Sequence, residues 1–550
     1  EIYTLSLHDA LPISKQSSGA DNVSLILLKL CVGALSMPIT CMINQSLKNG
    51  VFPDKLKIAK VIPIFKKDDI HDINNYRPIS LLPTISKVFE RVVHLQLYQY
   101  FVDNNLFYNH QYGFRKGHST ETALLELVDR IYEDLHNKKL PLAVFLDLSK
   151  AFDTIDHKIL LSKLKHYGIS GNELKWFNSY LSHRKQFVYI EGATSQTLNI
   201  TTGVPQGSIL GPLLFIIYIN DLATASTFSS IMYADDTNLL STVCKFKYNT
   251  SNVQQLSSNI NKELAKVSDW LDVNKLSLNV NKTKYMILST KQKRDLCSNT
   301  PTIMINNVCI ERVESFKFLG VMIDQNMSWS IHVNHIANKL SRICGMLSKL
   351  KNILPTCVLR IIYNSLFLAH ISYGITAWGF HDCNRLKQLQ KRAIRIISNS
   401  NYFAHTSPLF KELRLLKLDD LFKLSCYKFY YKLKNNTLPA FFMDSFNINL
   451  LMQKSKRTIQ TPRRYNDSVV DIPVFSPVAS INFTNTKTCR LCIRHKIPAL
   501  MNENYLPVIV LDKINTHSFQ GFTKYAKNYI INNYNTNCNI ANCYSCNFRY

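Results

Sequence analysis

The chain has 550 residues, enough for several domains, and its 46% hydrophobic content against 19% charged residues lets it bury cores, which excludes a largely disordered polypeptide. Lys and Arg number 65 against 38 Asp and Glu, and the net charge of +27 favours a polyanionic partner, nucleic acid or an anionic membrane surface. No apolar run reaches the roughly 18–20 residues that span a bilayer, so no membrane partner is expected, and the 14 scattered cysteines read as reduced thiols inside a cell rather than a disulfide scaffold.

Residues 1–14, EIYTLSLHDALPIS, resemble the translation of a short-read sequencing adapter and are expected to be an assembly artefact. Position 1 is not Met, so the reading frame is expected to extend upstream. Residues 15–48 carry a helical apolar series (Leu25, Leu28, Leu30, Val32, Leu35, Ile39) closed by Asn49-Gly50. Residues 60–65 (KVIPIF) predict a strand, followed by a charged turn, Lys66-Lys67-Asp68-Asp69. Pro83 precedes a helix predicted over 84–101, and a second amphipathic helix covers 121–136. Residues 142–148 (LAVFLDL) are almost wholly apolar up to one carboxylate, the pattern of a strand buried on both faces. A Gly/Pro-rich loop leads into a predicted buried helix over 209–222. Residues 229–233 and 237–240 flank a polar Ala-Asp-Asp tip and predict a hairpin.

Strands alternate with helices to about residue 324, which predicts an α+β core. Beyond it the chain turns helical. Ile336, Leu340, Ile343, Leu347, Leu350 and Leu354 recur at spacings of four and three, with Lys339, Arg342, Lys349 and Lys351 on other faces. A second helix over 385–397 is predicted with Leu386, Leu389, Ala393 and Ile396 inward and Lys387, Lys391, Arg392 and Arg395 outward. Basic faces of this kind are either solvated surface or contacts for a nucleic-acid backbone. Residues 436–550 are Asn-rich and weakly periodic, and read as a less regular region of unknown role.

Three acids stand apart. Asp147 ends the apolar strand in FLDLSKAFD, and Asp235 and Asp236 sit side by side in MYADDTNLL. A carboxylate beside a buried strand is costly without a compensating cation, and two adjacent ones repel. A bound divalent metal relieves both problems, and Mg²⁺ suits all-oxygen ligands.

The ordered blocks FLDLSKAFDTIDH, GVPQGSILGPLLFIIYINDL and MYADD resemble motifs A, B and C of a reverse transcriptase. NNYRPISLLPTISKVFERV and QYGFRKGHSTETALLEL resemble its early finger motifs, and LNVNKTKYMIL and FKFLGVMID its motifs D and E. The detailed wording resembles polymerases of non-LTR retrotransposons (LINE elements), notably the jockey and chicken-repeat-like lineages. The resemblance implies a right-hand polymerase: an N-terminal extension and fingers in residues 15–140, a palm with an antiparallel sheet and interleaved finger elements in 141–324, and a helical thumb-like region in 325–435. The reverse transcriptase core would span about 45–324.

It also implies roles. Asp147, Asp235 and Asp236 would hold two Mg²⁺ ions and carry catalysis. Phe152 would occupy the steric gate against a ribose 2′-OH, Leu148 and its neighbours to Ala151 would lie under the triphosphate, and Arg77 with Lys66 or Lys67 would clamp it. Gln206 and Gly207 of the motif B loop would meet the nucleotide and template. Lys282 is the expected general acid, with Lys284 as the alternative. Phe318, Leu319 and Gly320 would position the primer terminus. Asp153 is expected to orient the motif A turn and His157 to cap a surface helix; with Asp156 they stay outside the metal set. The implied function is RNA-directed DNA synthesis from a DNA primer and dNTPs on an RNA template, the alternative being an inactive remnant that binds RNA. Element RNA held as a cytoplasmic ribonucleoprotein, a nuclear site of action and an endonuclease domain upstream are also expected. Cys489, Cys492 and His495, and Cys538, Cys543 and Cys546, invite a zinc reading, but no complete ligand set lies together in sequence and zinc is not expected.

Overall fold

The computed structural model describes residues 18–243, 250–289, 301–445, 510, 513–514 and 516–534. Residues 1–14 and the six ligand candidates for zinc lie outside them.

The central sheet has five strands in the spatial order Glu311–Arg312, Lys284–Ile287, Leu140–Leu146, Asp236–Val243, Ser229–Tyr233. All neighbours run antiparallel except the first pair. Leu140–Leu146 lies in the middle and is buried at every position. Successive side chains point to opposite faces: Ala143 and Phe145 join the core beneath the sheet, while Leu140, Leu142, Val144 and Leu146 join the core on the other side. This two-sided burial is why the segment is apolar without alternation.

The two cores divide the molecule. One lies among the helices Thr84–Asp103, His157–His166, Gly171–Leu181 and Leu210–Tyr218. The other is shared by Thr120–His136 and the helices that follow residue 329. Thr120–His136 starts in a capping box, with Ser119 and Thr122 each accepting from the other's backbone N–H. A separate sheet pairs Ile58–Phe65 antiparallel with Tyr76–Leu81 and parallel with Arg184–Ile190. Its hairpin sets Arg77 opposite Ile64 and ends at Lys66, whose N–H donates to Asn75 O.

Helix Leu210–Tyr218 is buried along its whole length. Its first N–H groups need acceptors, and the fully buried Glu90 of Thr84–Asp103 supplies one: Ile209 N–H donates to Glu90 Oε2 at 2.6 Å and Leu210 N–H at 3.4 Å. Buried Asp324 satisfies the connecting turn where the sheet passes to the helical region, accepting from Asn326, Ser328 and Trp329 N–H ahead of helix Ser330–Leu350.

Several expectations shift. The N-terminal helical run is two helices, Leu25–Leu30 and Val32–Asn49, the second closed by Gly50 at φ 66°. The helix expected over 209–222 ends at Tyr218. The inward face of Asn384–Ile397 is Leu386, Gln390, Ala393, Ile394 and Ile397, a rotation from the face read by apolar spacing. Gln390 is buried because its amide is satisfied: it donates to Tyr363 OH and Leu416 O and accepts from Leu418 N–H. The C-terminal region contains a helix, Phe519–Asn532, docked on Leu418–Lys434 by a stacked pair, Tyr431 and Phe522, with rings 5.0 Å apart. Among the described residues no helix is long and apolar enough to cross a membrane.

Candidate active site

Asp147 follows directly on the central strand, and Asp235 and Asp236 occupy the adjacent hairpin. Tyr233 pairs with Asp236, so Ala234 and Asp235 form a two-residue turn. Ala234 takes φ 54°, a conformation uncommon for a residue with a Cβ. Leu146 pairs with Thr237, which brings the strand end and the hairpin tip to the same edge of the sheet. Asp147 is anchored through its backbone: its carbonyl accepts from Asn279 N–H at 2.8 Å and its N–H donates to Thr283 Oγ1 at 3.4 Å.

The three carboxylates feel one another. Partial burial, then the Asp147 charge, raises the Asp235 carboxyl above its usual range, against the field of Arg77 and Lys66. Asp236 lies at the exposed rim, yet desolvation and the charges of Asp235 and Asp147 push its carboxyl up to about 6. Among the described residues none of the three forms an ion pair with a basic side chain. Mutually repelling, all-oxygen donors without a direct ion pair fit a hard divalent cation. They do not form a closed cage: among the described residues no group of three or more His, Cys, Asp or Glu is placed to hold a metal. Mg²⁺ tolerates this, because it commonly takes few carboxylates and completes its shell with water and substrate phosphates.

Other expected residues gather around this edge. Lys66 and Arg77 are exposed, and their charges reach Asp235 from the finger hairpin. Lys67 instead lies 3.6 Å from Asp68 on the exposed turn. Leu148 is buried and pairs with Leu278. Phe152 is half-buried, stacked on Phe215 of the Leu210–Tyr218 helix at 4.4 Å and set edge-on to the exposed Phe114 at 6.2 Å. Gln206 donates through Nε2 to both carboxylate oxygens of Asp153 at 2.9 Å, and its carbonyl accepts from Ser80 N–H at 2.7 Å. Gly207 has φ 128°, and a Cβ there would lie 2.5 Å from Ser80 O, so only glycine lets the loop meet the finger strand.

Lys282 is exposed and has no side-chain partner among the described residues, whereas Lys284 donates to Asn281 O and pairs with Glu311 at 2.6 Å. Leu319 and Gly320, at φ 43° and 89°, form the turn between Ser315–Phe318 and Val321–Asp324. Phe318 is buried at its base. The turn is tied to the helical region by Tyr373, whose OH donates to Leu319 O at 2.6 Å.

His157 does not cap its helix. Asp156 is the cap, accepting from Lys158 and Ile159 N–H and pairing with Lys275, while the His157 ring donates to Gly203 O. The reason is geometric: a cap precedes the first helical residue, and His157 is that residue. On the second basic helix Lys387 pairs with Asp419 at 2.8 Å, and the half-buried Arg395 donates to Ala404 O, so these two cations serve the fold. Sequence reasoning missed Glu90, Tyr373 and Gln111, whose side chain accepts from Ala234 N–H at 3.0 Å. Periodicity marks apolar faces and carries no signal for such long-range polar contacts.

The reverse transcriptase (RNA-dependent DNA polymerase) family matches residues 64–323. The probable RNA-directed DNA polymerase from transposon BS of Drosophila melanogaster is 28% identical over 432 residues, 75% of this chain and 46% of that protein. The RNA-directed DNA polymerase from mobile element jockey of the same species is 26% identical over 426 residues, covering 74% and 45%. The probable RNA-directed DNA polymerase from transposon X-element is 27% identical over 420 residues, covering 74% and 45%. The chain thus spans about half the length of the curated relatives it matches. With the sheet, the aspartate edge and the family match falling on one stretch, residues 64–323 belong to the reverse transcriptase family and carry its α+β right-hand polymerase fold.

Proposed function

We propose that the chain is the RNA-directed DNA polymerase of a non-LTR retrotransposon, adding dNTPs to a primer 3′ end on an RNA template. The observation that carries this is the meeting of Asp147, Asp235 and Asp236 at one sheet edge, where among the described residues no basic side chain is ion-paired with them and Arg77 and Lys66 act only through their field. Reverse transcriptases use divalent metal ions, and two Mg²⁺ held by these carboxylates would supply charge neutralisation at the attacking 3′ oxygen and the leaving pyrophosphate.

The chain's own residues do the rest. Arg77 and Lys66 hold the triphosphate, the guanidinium by its forked donors, over the backbone at Leu148. Phe152, fixed by stacking on Phe215, fills the space a 2′-OH needs. Gln206 is oriented by Asp153 and presents its remaining amide oxygen, beside Gly207, to the nascent pair. Lys282 gives a proton to the departing pyrophosphate. Phe318, Leu319 and Gly320 seat the primer terminus, and the exposed cations of the following helices contact phosphates irrespective of sequence. The finer partners we propose are element RNA bound as a cytoplasmic ribonucleoprotein, a nuclear DNA target and an endonuclease that supplies the 3′ end.

Primer extension on an RNA template tests the reading, and two variants test its parts. Phe152→Val should lower discrimination against ribonucleotides on the order of 10²-fold; unchanged sugar selection in competition assays removes Phe152 from the gate. Lys282→Ala should lower kcat about 10²-fold and flatten the alkaline limb of the pH–rate profile. Lys284→Ala, which breaks the pair with Glu311 and the hydrogen bond to Asn281 O, should cost less than about tenfold. The reverse ranking transfers the acid role to Lys284.

A further inference from the structure

The segment before helix Thr120–His136 lies against the strand that leads into the aspartate turn. Met232 N–H donates to His110 O at 2.9 Å, and Tyr112 N–H donates to Met232 O at 2.7 Å. Residues 110–112 therefore lie alongside Ser229–Tyr233, joined to it by an isolated parallel bridge between Gln111 and Met232. Gln111 is 1% exposed. Its Oε1 accepts from two backbone donors at once, Gly113 N–H at 2.8 Å and Ala234 N–H at 3.0 Å. Both partners are donors, so the amide oxygen must face them. This leaves Nε2 buried without a partner among the described residues. An apolar side chain of similar volume would fill the space without that orphaned donor, so what the amide uniquely supplies is the acceptor.

Ala234 is the residue in the left-handed conformation that turns Asp235 and Asp236 toward Asp147. Gly113 presses on the same residue: a Cβ on it would lie 2.3 Å from Ala234 N. The segment is itself held from behind. Glu126, fully buried on Thr120–His136, lies 2.7 Å from both His110 and Arg130 and accepts from Tyr112 OH, while Arg130 also donates to Ser229 Oγ. The chain from Glu126 to Gln111 to Ala234 is thus continuous and hydrogen-bonded.

We infer that Gln111 is a positioning residue that fixes the Ala234–Asp235 turn in its metal-accepting conformation, acting through the backbone and never touching substrate. Its catalytic consequence rests on the polymerase reading above; its conformational consequence does not. Groups that orient metal ligands from outside typically change affinity or activity 10–100-fold when removed.

The test compares Gln111→Met, which keeps the shape and loses the acceptor, with Gln111→Glu, which keeps an acceptor. Gln111→Met should speed amide hydrogen exchange in the peptide covering residues 233–236 by about tenfold or more, raise the Mn²⁺ concentration for half-saturation seen by electron paramagnetic resonance, and lower kcat about 10–100-fold with the KM for dNTP nearly unchanged. Gln111→Glu should restore exchange protection. Unchanged exchange at the turn in a cooperatively folded Gln111→Met variant overturns the proposal. So does failure of Gln111→Glu to restore protection while the remaining peptides exchange as in the parent. A parent chain that makes no product defeats the polymerase reading instead, and the exchange comparison still decides the role of Gln111.

Discussion

Asp147→Asn is expected to lower kcat for nucleotide addition by about 10³-fold or more, on the order of 4 kcal/mol of transition-state stabilisation, while affinity for an RNA–DNA duplex stays near that of the parent. The side chain keeps its shape and loses its charge. Its backbone anchors at Asn279 and Thr283 do not depend on the carboxylate, so the sheet edge should persist. The same change removes one of the charges that raise Asp235 and Asp236. The free protein should therefore melt at or slightly above the parent temperature even as it loses activity, a trade common where function concentrates like charges. Single-turnover extension with duplex binding measured in parallel separates the two effects. Retained chemistry, or activity lost together with the fold, contradicts the assignment.

Glu90→Ala carries the second large effect, on stability. Glu90 is fully buried in the first core, accepts the first amides of the Leu210–Tyr218 helix and lies in the field of the buried Arg184. Removing it strands those amides, which should cost about 2–5 kcal/mol in urea unfolding near pH 4. A loss below about 1 kcal/mol shows that the amides find other partners. A pH comparison follows. Desolvation raises the Glu90 carboxyl above its ordinary value, against Arg184 and the hydrogen bonds from Ile209, Leu210 and Ser86. A raised folded-state pKa means the folded chain holds the proton longer than the unfolded one. The stability Glu90 contributes is then fully present below its unfolded pKa and is lost as pH rises through the folded one. Glu90→Gln has no such titration, so its stability relative to the parent should improve as pH rises above about 4.5. A gap that is constant with pH contradicts this.

Much of the fold was legible because it is written in apolar runs. The strand ending at Asp147 is apolar at every position because both its faces are covered, and the hairpin at Asp235 announces itself by two apolar flanks around a polar tip. The turn at Gly320 and the loop at Gly207 were legible as motifs, and the structure adds why glycine is needed at Gly207: the backbone of Ser80 leaves no room for a Cβ. What stayed hidden is polar and non-local. Gln390 occupies a helix face that spacing alone assigns to leucine, because three partners from distant segments satisfy its amide. Glu90 and Gln111 serve elements more than one hundred residues away. Helix Phe519–Asn532 docks on Leu418–Lys434 across a long intervening stretch, and its Asn-rich surroundings mask the periodicity of Phe522, Ala526 and Tyr529. Spacing also does not show which cations of a basic helix face are occupied within the fold, as Lys387 and Arg395 are.

The central claim is that the edge formed by Asp147, Asp235 and Asp236 performs nucleotidyl transfer directed by RNA. The most direct measurement is extension of a labelled DNA primer annealed to an RNA template by residues 15–550 with dNTPs and Mg²⁺, run beside Asp235→Ala/Asp236→Ala. Template-directed lengthening by the parent, abolished in the double variant while RNA–DNA binding persists, is the predicted result. No lengthening by a folded parent chain, or undiminished lengthening by the double variant, would contradict it.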